Sequence, residues 1–313
     1  MSDRLVDQAL GLWGLSGTGA KLVARRENRV YRVDAPDGRR FALRLHRPDY
    51  RSDAELQSEL DWLTALSCGG LRVPLPVASK EQRLLQQIDG TRISLLTWLD
   101  GAAMGRTGEP LDINDRTAVF ASVGETMARM HALSDAWTPP AGFVRCAWDA
   151  EGLIGDEPLW GRFRENPQLT ARQAAVIAEA SERARADLQI RQSALDYGLI
   201  HADLVRENVL ISNGAPQLID FDDGGYGFRL FDIATTLLKN RGEPDYPELQ
   251  AALLEGYRRV RPIDTRALPL FVLLRAFTYL GWIVPRMHEP GATERCGRFI
   301  ENATVLSREY LGA

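Results

Sequence analysis

Cysteine is scarce in this chain: there are three, Cys68, Cys146 and Cys296, far apart and odd in number. That excludes a disulfide scaffold and a cysteine-built metal site, and it points to a reducing compartment. An excess of positive charge is also missing. The 38 Lys and Arg stand against 42 Asp and Glu, for a net charge of −4. No basic stripe stands out, so a nucleic-acid partner is not expected. Met1-Ser2-Asp3-Arg4 lacks the apolar core of a signal peptide. Long apolar runs are absent as well. The longest, Leu268 to Val284, spans seventeen residues and carries Arg275, so it reads as a buried helix and not a membrane span. Internal repeats and low-complexity tracts are lacking. The expectation is a soluble, cytoplasmic protein with no membrane contact.

What is present is ordinary globular material: 313 residues, 45% hydrophobic and 26% charged, enough for one or two domains. Leu5, Leu10, Leu12 and Trp13 mark an N-terminal amphipathic helix. Strands are expected over Lys21–Arg25 and Arg29–Asp34, joined by the polar turn Arg26-Glu27-Asn28. Asp37-Gly38 is a hairpin signal leading into Arg40–His46, where Phe41, Leu43 and Leu45 alternate with Ala42, Arg44 and His46. Asp53–Cys68 reads as a helix. Ser52 and Glu55 have the spacing of a capping box at its start. Further strands are expected at Arg83–Asp89 and Ile93–Leu99. Beyond residue 99 the pattern turns helical: Ile113–Leu133, Thr170–Arg191, Tyr246–Arg258, Thr265–Met287 and Ala292–Tyr310. Residues 134–167 form an insert with Trp137, Trp148 and Trp160, which either pack onto helices or recognise a substrate.

The chemistry concentrates in Leu199 to Asp222. An apolar run delivers His201, Asp203 and Asn208; strands over Val209–Ile211 and Gln217–Phe221 flank a Ser212-Asn213-Gly214 turn, and Asp220-Phe221-Asp222 closes the stretch. Asp203 and Asn208 are five apart, and Asp220 follows Asp203 by seventeen. Each residue alone suits a solvated hairpin. Together they have the layout of phosphoryl transfer, in which a carboxylate takes the attacking hydroxyl's proton while an amide oxygen and a second carboxylate hold Mg²⁺. Gly224–Gly227 reads as a flexible turn, and Asp232-Ile233-Ala234 opens a helix.

His-x-Asp-Leu-x-x-x-x-Asn followed by Asp-Phe resembles the protein-kinase catalytic loop and metal motif. Ala202 stands where protein kinases usually carry Arg. In that respect the segment is similar to the aminoglycoside phosphotransferase, choline kinase and type II homoserine kinase superfamily. Gly124-x-x-x-Ala128-x-x-His131 is also similar to that superfamily. The resemblance covers roughly residues 22 to 240. It implies an α+β, bilobal protein-kinase-like fold, with a β-rich N-lobe over 1–99 and a mostly helical C-lobe over 100–313. It implies ATP and Mg²⁺ as cofactors and a small-molecule hydroxyl acceptor, such as an amino alcohol or hydroxy amino acid.

By the same resemblance Asp203 is the general base, and Asn208 and Asp220 are the metal ligands. Arg44, two residues after Ala42, stands in for the usual phosphate-binding Lys; Arg is always charged and grips phosphate bidentately. Glu59 is its expected ion-pair partner, with Glu55 the competitor. Asn28 replaces a glycine-rich loop as phosphate donor, and the Leu96–Trp98 backbone meets the adenine edge. Asp232 and His131 are expected to support the loop. Arg275, Tyr279, Trp282 and Arg286 recur at helical spacing, as an acceptor-lining stripe or as core. Two other readings stay open: an atypical Ser/Thr kinase resembling stress-response kinase A, and a nucleotide-binding scaffold without turnover.

Overall fold

The computed structural model describes residues 2–25 and 28–312, so Arg26 and Glu27 of the expected polar turn lie outside the described residues. The N-terminal part carries α1 (Ser2–Leu12), β1 (Ala20–Arg25), β2 (Arg29–Asp34), β3 (Arg40–Leu45) and α2 (Asp53–Cys68). It continues with β4 (Leu85–Ile88), β5 (Thr91–Thr97) and β6 (Ala102–Ala103). Next come α3 (Arg116–Ala136), β7 (Ala147–Trp148), α4 (Ala150–Ile154), α5 (Ala171–Arg191) and β8 (Tyr197–Ile200). Then follow β9 (Val209–Ser212), β10 (Ala215–Leu218), β11 (Gly225–Phe228) and α6 (Arg229–Leu238). The last are α7 (Tyr246–Arg258), α8 (Leu268–Trp282) and α9 (Ala292–Leu311).

These elements form two compact units. The first takes Met1–Ala103, Ala132–Arg145 and Val209–Asp222; the second takes Met104–His131, Cys146–Asn208 and Asp223–Ala313. The division is therefore not the single cut after residue 99 expected from the sequence. Backbone pairing explains the difference. β9 lies between β10 and β6 in a three-stranded sheet, and the Gln217 amide donates to the Asp100 carbonyl at 2.6 Å. The hairpin after the His201–Asn208 loop is thus bonded to the N-terminal part of the chain.

The first unit is built on an antiparallel sheet in the order β1-β2-β3-β5-β4. The alternation in β3 decides its two faces. Phe41, Leu43 and Leu45 are buried in one core cluster with Val6, Ala9 and Leu10 of α1. Arg44 and His46 project from the other face, as a two-residue period requires. α2 begins on the expected capping box, Ser52 with Glu55, and buries Leu56, Leu60, Trp62 and Leu63.

The second unit is mostly helical around a small sheet, β7-β11-β8. Here the sequence misleads. The glycine run expected to be a flexible turn is the central strand, β11. A Cβ on Gly225 would lie 2.3 Å from the Cys146 carbonyl oxygen, and one on Gly227 2.4 Å from Ile200 Cδ1. The glycines serve close strand packing, not flexibility. The strand expected over Gln217–Phe221 is likewise displaced: β10 ends at Leu218, and Asp220 has φ +67°, which no strand continues. α8 is buried along nearly its whole length, including Arg275. Among the described residues no helix is long and apolar enough to cross a membrane.

Candidate active site

The first unit holds the expected ion pair. Arg44 sits on β3 and Glu59 on α2, and both are buried, at 6% and 1% exposure. Arg44 Nη1 lies 2.5 Å from Glu59 Oε1, which selects Glu59 over Glu55. Arg44 Nη2 lies 3.6 Å from Asp222 Oδ1. One guanidinium therefore faces two carboxylates, and they respond differently. Burial pushes Glu59 upward, but Arg44 and then Arg145 outweigh it and hold Glu59 below the usual carboxylate range. Burial and the Glu59 charge push Asp222 above that range, against Arg44. Burial opposes the charge on Arg44, and Glu59, Asp222 and Asp220 more than offset it.

Arg145 was not foreseen. Buried beside this pair, it donates to the carbonyls of Phe221 at 2.9 Å and Asp222 at 2.7 Å, and to that of Glu55 at 3.0 Å. It fixes the backbone of the Asp-Phe-Asp segment to α2. Phe221 packs edge-on against Trp62, with ring centroids 5.1 Å apart. An arginine in a tryptophan-rich insert gives no local sign of such a role.

The other nucleotide-side candidates also lie in this unit. Ala42 is opposite Leu96 in the β3–β5 register. The Trp98 amide donates to the Arg40 carbonyl at 3.0 Å, so that donor is already engaged, contrary to an adenine contact through it. Asn28 accepts from the Arg47 amide at 3.1 Å through Oδ1, which leaves its Nδ2 as the donor. Asp220 is exposed.

The second unit holds the expected catalytic loop, and Asp232 organises it. Its buried carboxylate accepts from the amides of His201 at 2.9 Å and Ala202 at 2.6 Å. Ala202 has φ +65°, a left-handed conformation that costs a non-glycine residue roughly 1–2 kcal/mol. The bonds to a buried carboxylate offset that cost. His131 lies 3.0 Å from Asp232 through Nε2 and 2.8 Å from the Tyr257 hydroxyl through Nδ1. Burial, then Arg229, lowers the His131 pKa to about 4 despite Asp232. The ring is thus neutral at pH 7, donating from Nε2 to the carboxylate and accepting at Nδ1.

This has a consequence for stability. The folded pKa of His131 lies below its ordinary 6.5, so the unfolded chain takes up the proton first as pH falls. His46, hydrogen-bonded to Ser94 Oγ at 2.9 Å, behaves likewise: burial, then Arg44, lowers it to about 3. Stability is then fully present above about pH 6.5 and declines as pH drops toward 4, by about 3 kcal/mol for His131 alone. Urea denaturation at pH 7 and pH 4.5 should show the loss. Equal stability at both would refute it.

Asp203 is half-buried, with 23% of its side chain accessible. Asn208 Nδ2 donates to its Oδ2 at 3.0 Å and to its backbone carbonyl at 2.9 Å. That turns Asn208 Oδ1 away from Asp203 as the amide's ligand atom. Arg275 Nη2, from the middle of α8, donates to Asp203 Oδ1 at 2.6 Å and to the Tyr279 hydroxyl at 2.8 Å. The stripe on α8 thus reaches the expected base directly. Arg206 pins the far end of the loop, donating to Asn240 at 2.8 Å, Glu243 at 2.6 Å and the Glu109 carbonyl at 2.7 Å. Of the insert tryptophans, Trp148 is buried, stacked on Phe231 with its indole N–H on the Asp223 carbonyl at 2.8 Å. Trp160 is only half-buried.

A sheet-borne buried Arg–Glu pair and a clamped His-x-Asp loop in a helical unit define a protein-kinase-like phosphotransferase. The chain belongs to the phosphotransferase enzyme family, which it matches over residues 19–267. It is a kinase-type enzyme whose phosphate acceptor is a hydroxyl. The homoserine kinase of Gluconobacter oxydans (strain 621H) is 31% identical over 71% of this chain and 69% of its own length. The solved microcompartment-associated aminopropanol kinase superposes with a TM-score of 0.86 at 29% identity, covering 99% of this chain and 98% of its own. An amicoumacin kinase solved with AMP-PNP and Ca²⁺ shares the fold, with a TM-score of 0.78 at 21% identity over 97% of this chain and 93% of its own.

Proposed function

We propose that this protein transfers the γ-phosphoryl group of ATP, with Mg²⁺, to the hydroxyl of a small metabolite, an amino alcohol or a hydroxy amino acid. The observation that carries the reading is Asp203. It is a partly exposed carboxylate held through one oxygen by Arg275 and through the other by Asn208. Asp203 accepts the acceptor's hydroxyl proton as that oxygen bonds to the γ-phosphorus, and the bond to the bridging oxygen breaks to release ADP. A loose transition state asks mainly for such positioning and for charge neutralisation.

Arg44, held by Glu59, binds ATP phosphates; Asn28 adds a donor through Nδ2. Ala42, Leu96 and Trp98 border the adenine. Asn208 Oδ1 and Asp220 are the ligands for Mg²⁺, which neutralises phosphate charge when bound. The donor set fits: all are oxygens, as Mg²⁺ prefers. The buried oxygens of Asp222, two residues after Asp220, accept no hydrogen bond, so a further oxygen donor lies in the same segment. The homoserine and aminopropanol kinases among the relatives support the acceptor class, and AMP-PNP with Ca²⁺ in the amicoumacin kinase supports the cofactors. None of the three cysteines is in a disulfide, which suits a cytoplasmic location.

The test is an assay with Mg-ATP against hydroxylated metabolites, peptides and aminoglycosides, with Asp203→Asn as control. The expected result is ADP release with a phosphorylated amino alcohol or hydroxy amino acid, lost in the control. Phosphate appearing only on protein or peptide would overturn the small-molecule reading.

A further inference from the structure

Four rings of the second unit close into a box. Trp160 lies 5.9 Å from Tyr279 and 6.2 Å from Trp282; Phe299 lies 4.9 Å from Tyr279 and 6.5 Å from Trp282. Trp160, Trp282 and Phe299 are half-buried and offer accessible surface. An aromatic box usually recognises a cationic ligand through its ring faces. Here the protein's own cations already occupy them. The Arg275 guanidinium sits 4.5 Å from the centroids of both Trp160 and Tyr279. The Lys239 ammonium sits 3.9 Å from Tyr279 and 5.6 Å from Phe299. The Arg286 guanidinium sits 4.2 Å from Trp282.

These cations are not equally neutralised. Arg275 is paired with Asp203. Lys239, half-buried just after α6, has no carboxylate partner among the described residues. Its surroundings are two rings, a low-dielectric wall in which an anion is held more strongly than in water. Tyr279 links that ammonium to the Arg275–Asp203 pair: its ring meets Lys239, and its hydroxyl accepts from the same Arg275 Nη2 that holds Asp203. A positively charged box beside the base repels a purely cationic acceptor and favours one with an anionic group.

We propose that Lys239 anchors a carboxylate of the phosphate acceptor, so that the acceptor is a hydroxy amino acid and not its decarboxylated amino alcohol. This rests on the proposed phosphotransferase reading, and it separates the two acceptor classes which that reading leaves together. Lys239 is a specificity residue: it touches the part of the acceptor that does not react.

Matched acceptors test it. L-Homoserine and 3-aminopropan-1-ol share a skeleton and differ by the carboxylate, as do L-threonine and 1-aminopropan-2-ol. With the wild-type chain and Mg-ATP, kcat/KM is expected to be higher for the carboxylated member of a pair. Lys239→Met should raise KM for that member by about 10- to 100-fold, the worth of one hydrogen bond to a charged group. It should leave kcat and the amino alcohol unchanged, and Lys239→Arg should restore most of the loss. A packing role for Lys239 would depress both members together. A wild-type preference for the amino alcohol, or equal loss of both in Lys239→Met, overturns the proposal.

A second measurement does not need turnover. Trp160 and Trp282 report on the box, so titration with L-homoserine should change their fluorescence saturably, with weaker binding in Lys239→Met. If no acceptor is phosphorylated but this Lys239-dependent binding is seen, the phosphotransfer reading fails and the carboxylate site stands. If acceptors turn over with no regard to the carboxylate, the site fails and the reading stands. No saturable change with either carboxylated probe also overturns the site.

Discussion

Replacing Asp203 by Asn is expected to lower kcat by about 10²- to 10⁴-fold, the usual worth of a positioned general base, with little change in KM for ATP. The amide keeps the shape and can still meet Asn208, but it cannot take the hydroxyl proton. The structure adds a second expectation. Arg275 is fully buried, and Asp203 is the carboxylate its Nη2 meets. Asp203→Asn therefore also leaves a buried cation without that countercharge, and a fall in melting temperature should accompany the loss of activity. Assays must run well below that lower melting point. Full activity in a folded Asp203→Asn protein would remove Asp203 from the mechanism.

The second large effect is expected at the Arg44–Glu59 pair. Breaking a buried pair by removing one partner typically costs about 3–5 kcal/mol, because the remaining charge stays desolvated. For Glu59→Leu the cost should fall near the lower end. Asp222 Oδ1 is 3.6 Å from Arg44 Nη2 and becomes the countercharge. The double variant Arg44→Leu/Glu59→Leu should recover part of that stability, since apolar replacement of a buried pair is often neutral, while Asp222 loses the cation it faces. The double variant should not transfer phosphate, because Arg44 is the proposed phosphate ligand; Glu59→Leu keeps Arg44 without its anchor and should transfer phosphate more slowly. Denaturant unfolding and ATP titration separate the two effects. A double variant that binds and uses ATP normally would show the pair to be structural only.

The sequence exposed those parts of the site whose meaning is local. The alternation in β3 put Arg44 opposite Phe41, Leu43 and Leu45, and a two-residue period allows no other arrangement. The Ser52–Glu55 capping box set the start of α2, and with it the helical phase of Glu59. The spacing of His201, Asp203 and Asn208 was legible because a single loop carries them, and Asn208 does bond Asp203. Family resemblance turned that spacing into a reaction class. The glycines of β11 were misread for a related reason: a glycine run announces freedom of backbone, while its reason here is a neighbour's carbonyl that cannot be seen locally.

Tertiary structure alone decided the partners. Arg275 reaches Asp203 from 72 residues away. Arg145 holds the Asp222 carbonyl across 77 residues. The hairpin of β9 and β10 belongs with β6 instead of with the loop that precedes it. Periodicity states which face a side chain occupies, but which group lies opposite is set by how separate elements pack. The sequence by itself therefore determined the reaction class and singled out the loop proposed to perform it. Only the packed helices showed that Asp203 is held by a buried arginine, which itself lies over the rings of Trp160 and Tyr279.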